Sequence, residues 1–356
     1  MTKTLFKLMT VAVLSTALFS CEKGENTDPT NDSQSNEGRV YILNEGVWGG
    51  NDAELSRYSA EENTIINDYF SSKNGRGLGD VANDIEIYGS KMYVVVNTSN
   101  TVEILDPKTG KSIQQIPLSG KQPREVAFYE GYAYVSCYDK TVVKIDTTTL
   151  SIVAQCQTEG GKCEDLYAAD GYLYVIHAWD QDASGAVSYD STLSVISLDN
   201  FAVVEKITIG INAKTIKPIG DDRILISCMG NYTDEASSLT ILNLTTRQVE
   251  KIPVEVSNFA VFGTEYALVY SYNWNTSQQM FTKINLSNLA QTSWSYTASQ
   301  SLVSPYGISI DPDNEDVYIA DAQNYQSNGD VYRFDKNGNY IASKECGIGP
   351  SKIVFL

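Results

Sequence analysis

Val102–Asp146 reads VEILDPKTGKSIQQIPLSGKQPREVAFYEGYAYVSCYDKTVVKID. Apolar residues alternate with polar ones in runs of five or six, split by Asp-Pro, Thr-Gly, Gly-Lys and Glu-Gly turns. Period-two alternation with Val, Ile, Tyr and Thr is the signature of short strands joined by tight turns. The piece repeats itself: Val102–Asp106 and Val142–Asp146 are the same strand, forty residues apart. Self-similarity at that period marks a blade or solenoid repeat.

The repeat extends over the chain from Arg39. With strands a to d running outward from an axis, blade two takes Val81–Ile87, Lys91–Asn97, Thr101–Asp106 and Lys111–Ile116. Blade three takes Arg124–Tyr129, Tyr132–Cys137, Thr141–Asp146 and Ser151–Cys156. Blades four to seven start at Cys163, Ala213, near Val256 and at Pro305. At the front, Arg39–Asn44, Ala53–Tyr58 and Thr64–Asp68 supply only b, c and d, and the apolar tail Lys352–Leu356 supplies the missing strand a. The expected fold is all-β: a seven-bladed β-propeller closed by the C-terminal strand pairing into the first blade. Closure removes the open edge that a linear repeat leaves. A sandwich does not need this period, and a solenoid needs polar caps where this chain ends on an apolar strand.

Ahead of the repeat, Lys3 and Lys7 flank the apolar run Leu5–Phe19, which ends at Ser20-Cys21. A basic start, a short apolar core and a small residue before the cut describe a secretory signal over residues 1–20. The run is short for a bilayer span, and Cys directly after the small residue makes a lipobox, so Cys21 is expected to be lipidated. Residues 21–38 carry no large apolar side chain and read as a flexible acidic tether. Residues 39–356 form the propeller body. The formal net charge is −18, and cleavage of the signal removes two lysines more. Such a surface repels a phosphate backbone, which argues against nucleic acid.

Six cysteines leave five once Cys21 is set aside. Cys156 and Cys163 bracket the crossing from blade three to blade four and could bridge. Cys137 and Cys228 fall in b strands as small buried apolar residues. No CxxC supports a thiolate metal site.

In a propeller the b–c and d–a loops share one face, and the a–b and c–d turns the other. Here the long insertions are b–c loops: Glu45–Asp52, Ala178–Ser191, Met229–Ser237, Tyr272–Gln279 and Ala322–Gly329. Trp48, Trp179, Tyr189, Tyr232, Tyr272, Trp274 and Tyr325 lie in them, and Tyr138 in a short one. Rigid rings among Asn, Asp, Gln and Ser make a recognition surface at low entropy cost. The rings could instead pin their own loops, but three indoles on one face point to binding. The channel mouth is expected to be ringed by Asn83, Asp84, Arg124, Glu164, Lys214, Asn258, Tyr306 and Lys352, with Arg124 counted among the ligand contacts. A calcium ion would want converging oxygens from Asp84, Glu164 and Asn258, which Arg124, Lys214 and Lys352 oppose, so no metal is expected. The lone histidine, His177, gets a place at the site rim at most, with no G-x-S-x-G beside it. Asp311–Asp316 reads as an a–b turn. Nothing here makes a catalytic constellation, so the chain reads as a binding protein and not as an enzyme.

Tyr93–Asn97, Tyr132–Asp139 and Tyr172–His177, each followed by a Val-rich strand, resemble YVTN/YncE-like propellers. The opening Leu43-Asn44-Glu45-Gly46-Val47-Trp48-Gly49-Gly50-Asn51-Asp52-Ala53-Glu54-Leu55-Ser56 resembles Bacteroidetes surface lipoproteins of the BtuG type. The acidic residues after Cys21 likewise resemble the surface-export signal of Bacteroidetes lipoproteins. The resemblance implies a lipid-anchored outer-membrane protein, exposed at the cell surface. It would capture cobalamin (vitamin B12) or another corrinoid as a transported ligand, with no cofactor of its own, and pass it to a BtuB-type TonB-dependent transporter. A surface glycan-binding propeller is the alternative, since the same rings suit sugars. A propeller lyase or lactonase comes third.

Overall fold

The computed structural model describes residues 38–356 except Trp274, Asn275, Ser277, Ser299 and Gln300. Cys21, the signal sequence and most of the tether lie outside the described residues. Gly38, the last residue assigned to the tether, already accepts a hydrogen bond from Arg57 Nε at 2.9 Å through its carbonyl.

Seven four-stranded antiparallel sheets form the seven blades expected. Blade three runs Pro123–Tyr129, Tyr132–Cys137, Thr141–Asp146 and Ser151–Gln157, so its b and c strands fall where the repeat put them. Blade one takes strand a from the tail (Pro350–Phe355) and strands b, c and d from the front (Val40–Asn44, Glu54–Ser59, Thr64–Ile66). The closing register pairs Val40 with Phe355 and Ile42 with Ile353. Two further backbone bonds lock its ends, Glu45 N–H to Gly349 O at 2.9 Å and Leu356 N–H to Arg39 O at 2.8 Å. Arg39 is held from outside the sheet by Asp311 and, at 3.1 Å, Asp313, within the blade-seven a–b turn.

Among the described residues the buried apolar side chains sort into seven clusters, one between each pair of neighbouring blades. Strand b of blade two (Lys91–Val96) shows why its sequence is a continuous apolar run. Met92, Val94 and Val96 face blade one, while Tyr93 and Val95 face blade three. A strand buried on both faces has no polar side to alternate with. The outermost strands are the ones with exposed residues, as in Ser112–Pro117 and Ser151–Gln157.

One element was not anticipated. Between blades one and two stands a short helix, Tyr69–Asn74, whose first N–H groups are met by the Glu54 carboxylate: Phe70 N at 2.7 Å and Ser71 N at 3.2 Å. Its Tyr69 and Phe70 are fully buried in the blade-one/blade-two core.

The cysteine expectation is corrected. All five described cysteines are free and buried, so Cys156 and Cys163 do not bridge. Cys156 is on the outermost strand of blade three and Cys163 opens the innermost strand of blade four. The crossing between them spans the width of a blade.

Candidate functional site: an aromatic pocket beside the channel mouth

The site begins with an irregularity repeated around the axis. In six blades the register between strands a and b slips near the start of strand a, at Ala82/Asp84, Pro123/Val126, Cys163/Leu166, Ala213/Thr215, Pro305/Gly307 and Asn44/Leu43 against Pro350/Lys352. Blade six alone pairs without a slip. A β-bulge inserts an unpaired residue and re-aims its side chain. The inserted positions are Asn83, Arg124, Glu164, Lys214, Tyr306 and Ser351, and all but Ser351 belong to the ring expected at the mouth. Asp84 and Lys352, placed in that ring from sequence, stand one position further along, below it. Backbone N–H groups orphaned by the slip are met by serines of strand b: Glu125 N bonds Ser136 Oγ and Thr215 N bonds Ser227 Oγ, both at 3.1 Å.

Arg124 is the hub of the mouth. Its Nε donates to Glu164 at 2.7 Å and its Nη1 to Asn83 at 2.6 Å. The guanidinium lies 4.7 Å from the Tyr138 ring centroid, and the Tyr138 hydroxyl donates to Glu164 at 2.8 Å. Burial opposes the charge on Arg124, yet Glu164, Tyr138 and Glu125 outweigh it and raise its pKa above the usual arginine value. Burial, reinforced by the Glu164 carboxylate, pushes the Tyr138 phenol up as well.

The blade-four b–c insertion folds into a hairpin of Trp179–Gln181 against Val187–Tyr189, with Trp179 directly opposite Tyr189. Lys162 on the preceding loop stacks 3.9 Å from the Trp179 centroid, and its N–H bonds the Trp179 carbonyl at 2.8 Å. Tyr138 meets the indole edge-on at 6.0 Å. Tyr189 in turn meets Tyr232 edge-on at 5.8 Å, and Tyr232 is 67% exposed on the blade-five insertion. Trp179, Tyr189 and Tyr232, with Arg124 and Glu164, enclose a pocket of about 370 Å³ completed by Asn212, Lys214 and Met229. Arg124 and Lys214 also line the axial cavity of about 600 Å³, so pocket and channel adjoin.

Of the eight residues marked from sequence, Arg124, Trp179, Tyr189 and Tyr232 therefore come together in blades three to five. Tyr325 belongs to a second group across the mouth, edge-on to Tyr306 at 5.3 Å, whose hydroxyl donates to Glu45 at 3.1 Å. Burial raises the Glu45 carboxyl, against the pull of Arg124. Trp48 stands apart at the tip of the blade-one loop, 82% exposed. That loop is tied down by Val47 N–H to Asp52 at 2.8 Å and Gly49 N–H to Asp80 at 3.1 Å. Tyr272 is not on a loop: strand b of blade six runs Tyr266–Asn273, and the ring packs half-buried against the blade-six/blade-seven core. Trp274 lies outside the described residues.

His177 is not at a rim either. It is fully buried, its Nδ1 3.0 Å from the Gly161 carbonyl and its Nε2 2.8 Å from Ser194 Oγ, with burial lowering its pKa to about 4. The oxygens considered for calcium are engaged otherwise. Glu164 holds Arg124, Asp84 holds Lys352 at 3.2 Å, and Asn258 Oδ1 accepts from the Phe259 N–H at 2.8 Å. Lys162, which stacks on Trp179, and the pocket residues Asn212 and Met229 were missed. The first two sit on d–a loops, the other set of connections reaching this face, and loop length alone gave no reason to single them out.

Solved structures similar to this chain share its fold. A quinoprotein alcohol dehydrogenase-like protein of Bacteroides thetaiotaomicron superposes with a TM-score of 0.66 at 16% identity, over 90% of this chain and 78% of that one. Hydrazine synthase of Kuenenia stuttgartiensis gives 0.60 at 14% identity, over 74% and 86%. U3-55K gives 0.52 at 10% identity, over 73% and 80%. Identities this low carry the architecture and no activity. No functionally curated protein matches the sequence. Over residues 38–349 the chain matches the family described as domain of unknown function DUF5074, and it belongs to that family.

Proposed function

We propose that this chain is a surface lipoprotein, anchored through Cys21, that captures a corrinoid such as cobalamin on its elaborated face and delivers it to a TonB-dependent outer-membrane transporter. The observation that carries this reading is the pocket where Trp179, Tyr189 and Tyr232 stand around Arg124 and Lys214. A corrinoid is a large rigid ring system with amides at its edge. Aromatic faces suit the ring edge, and Asn212 and the loop carbonyls suit the amides. At about 370 Å³ the pocket takes one edge of such a ligand. The exposed rings Trp48 and Tyr325 on the same face offer contact to the rest. Rigidity on both sides keeps the ordering entropy of binding small.

Catalysis is not part of the proposal. Arg124, Glu164 and Tyr138 satisfy one another, and His177 is fully buried within blade four and does not line the pocket. The second reading, a glycan ligand, is favoured by the exposed Tyr232 ring beside Asn212. Equilibrium dialysis of the mature chain against cyanocobalamin, with a glycan array on the same preparation, separates the two. Retained cyanocobalamin supports the proposal; a blank dialysis with a positive array replaces it with the glycan reading.

A further inference from the structure

The axial channel below the mouth is built in levels, and its charges do not all find partners. At the second level Lys352 reaches from blade one to Glu125 at 2.7 Å and Asp84 at 3.2 Å. Asp84 and Asp165 also clasp the next blade, accepting from Val126 N at 2.9 Å and Ile216 N at 2.8 Å. These charges are spoken for. Three residues beyond the inserted positions Asn83 and Lys214 lies the third level, where strand a of blade two (Ala82–Tyr88) brings Glu86 and strand a of blade five (Ala213–Pro218) brings Lys217. Both line the axial cavity of about 600 Å³ and a smaller recess of about 260 Å³ beside it. Three blades of seven separate them, which sets them on nearly opposite walls. Among the described residues neither has a hydrogen bond or an ion pair; Lys217 and Lys352 act on Glu86 only through space, and burial with the Asp84 charge holds its carboxyl up at about 7. The other wall of the channel, from blades six, seven and one, carries an apolar stretch of Val261, Ile308, Ile310, Val354 and Phe355 beside Ser309.

An unpaired acid and an unpaired base in a confined channel are each under-solvated, and a ligand bearing the opposite pair of charges would satisfy both at once. We propose that the lower channel is a second binding site, for a small zwitterion that sets an ammonium group on Glu86 and a carboxylate on Lys217, with its hydrocarbon part on the apolar wall. An amino acid is the simplest such molecule. Neither Glu86 nor Lys217 lines the aromatic pocket, so this inference does not rest on the function proposed for that pocket.

The test is calorimetric titration of the mature chain with L-leucine and with 6-aminohexanoate, which differ in the spacing of their charges. N-acetyl-L-leucine, without the ammonium, and L-leucinamide, without the carboxylate, serve as blocked probes. Saturable binding of at least one zwitterion is expected. Its affinity should fall ~10-fold or more in Glu86→Gln and in Lys217→Met, as for loss of one charge-assisted contact. Because neither side chain holds another residue, both variants should keep the wild-type melting profile to within a few degrees. The proposal is overturned if neither zwitterion binds at ~10 mM, if a blocked probe binds as well as its parent, or if both folded variants bind as the wild type does.

Discussion

Among the described residues Lys352 is the one cation of the second channel level, and its replacement by methionine keeps the stem while removing the charge. Its two partners are well buried, Glu125 at 11% and Asp84 at 2% side-chain exposure. With an effective dielectric of about 20, contacts of this length are worth on the order of 5 kcal/mol each before desolvation. Desolvation cancels most of that gain. What remains on removing one partner of a buried pair is about 3–5 kcal/mol, because the surviving charges are left uncompensated. With an unfolding entropy of about 2 cal/mol/K per residue, each kcal/mol moves the melting point of a body this size by ~1.5 °C. Lys352→Met should therefore melt about 5–7 °C below the wild type at pH 8.

The deficit should shrink on acidification. Burial, with Asp84 adding to it, already raises the Glu125 carboxyl above its ordinary value, and losing Lys352 raises it further. A carboxyl raised in the folded state costs stability as pH climbs from its unfolded pKa through the folded one, and that cost disappears when it is protonated. Scanning calorimetry at pH 8 and pH 5 reads both effects. Adding Glu125→Gln to Lys352→Met should recover part of the loss. Equal melting of Lys352→Met and wild type at pH 8, or a deficit that grows at pH 5, would refute this reasoning.

Deleting Ser351–Leu356 strips strand a from blade one and uncovers Ile42 and Tyr318; at ~25 cal/mol per Å² of apolar surface the loss is several kcal/mol, so an unchanged melting temperature would contradict closure. Burial raises the Cys163 thiol to about 12 and the Cys156 thiol above its usual value; a thiol reagent should label the described cysteines only on unfolding, and rapid modification of native protein would contradict their burial. Cys21→Ala should lose lipid labelling and membrane association, and retention in the outer-membrane fraction would reject the lipobox.

Much of the fold was legible because propeller strands announce their ends. Tyr132–Cys137 and Thr141–Asp146 could be bounded from Glu130-Gly131 and from Asp146, which closes the second of them. The apolar tail declared closure because a polar molecular surface would not otherwise end on Ile353, Val354 and Phe355. The site was legible only in part. Trp179, Tyr189 and Tyr232 were visible as rings on long loops, but their convergence depends on a hairpin and on the order of blades around the axis. Tyr272 misled because a long hairpin of regular strand looks like a loop when it is rich in Asn, Gln and Ser. The depth of Asp84 and Lys352 turned on bulges, which leave little trace in sequence beyond paired polar residues such as Arg124-Glu125 and Glu164-Asp165. Cys156 and Cys163 are close in number, but radial distance in a blade is set by strand order and not by sequence separation.

The central claim is tested most directly by titrating the mature chain with cyanocobalamin while following tryptophan emission, corrected for corrin absorbance, in the wild type, Trp179→Ala and Tyr232→Ala. The account predicts saturable quenching in the wild type and, in at least one of the two variants, an affinity ~30-fold weaker, the ~2 kcal/mol of an aromatic hot spot. Absence of quenching at micromolar cyanocobalamin, or wild-type affinity in both variants, would contradict it.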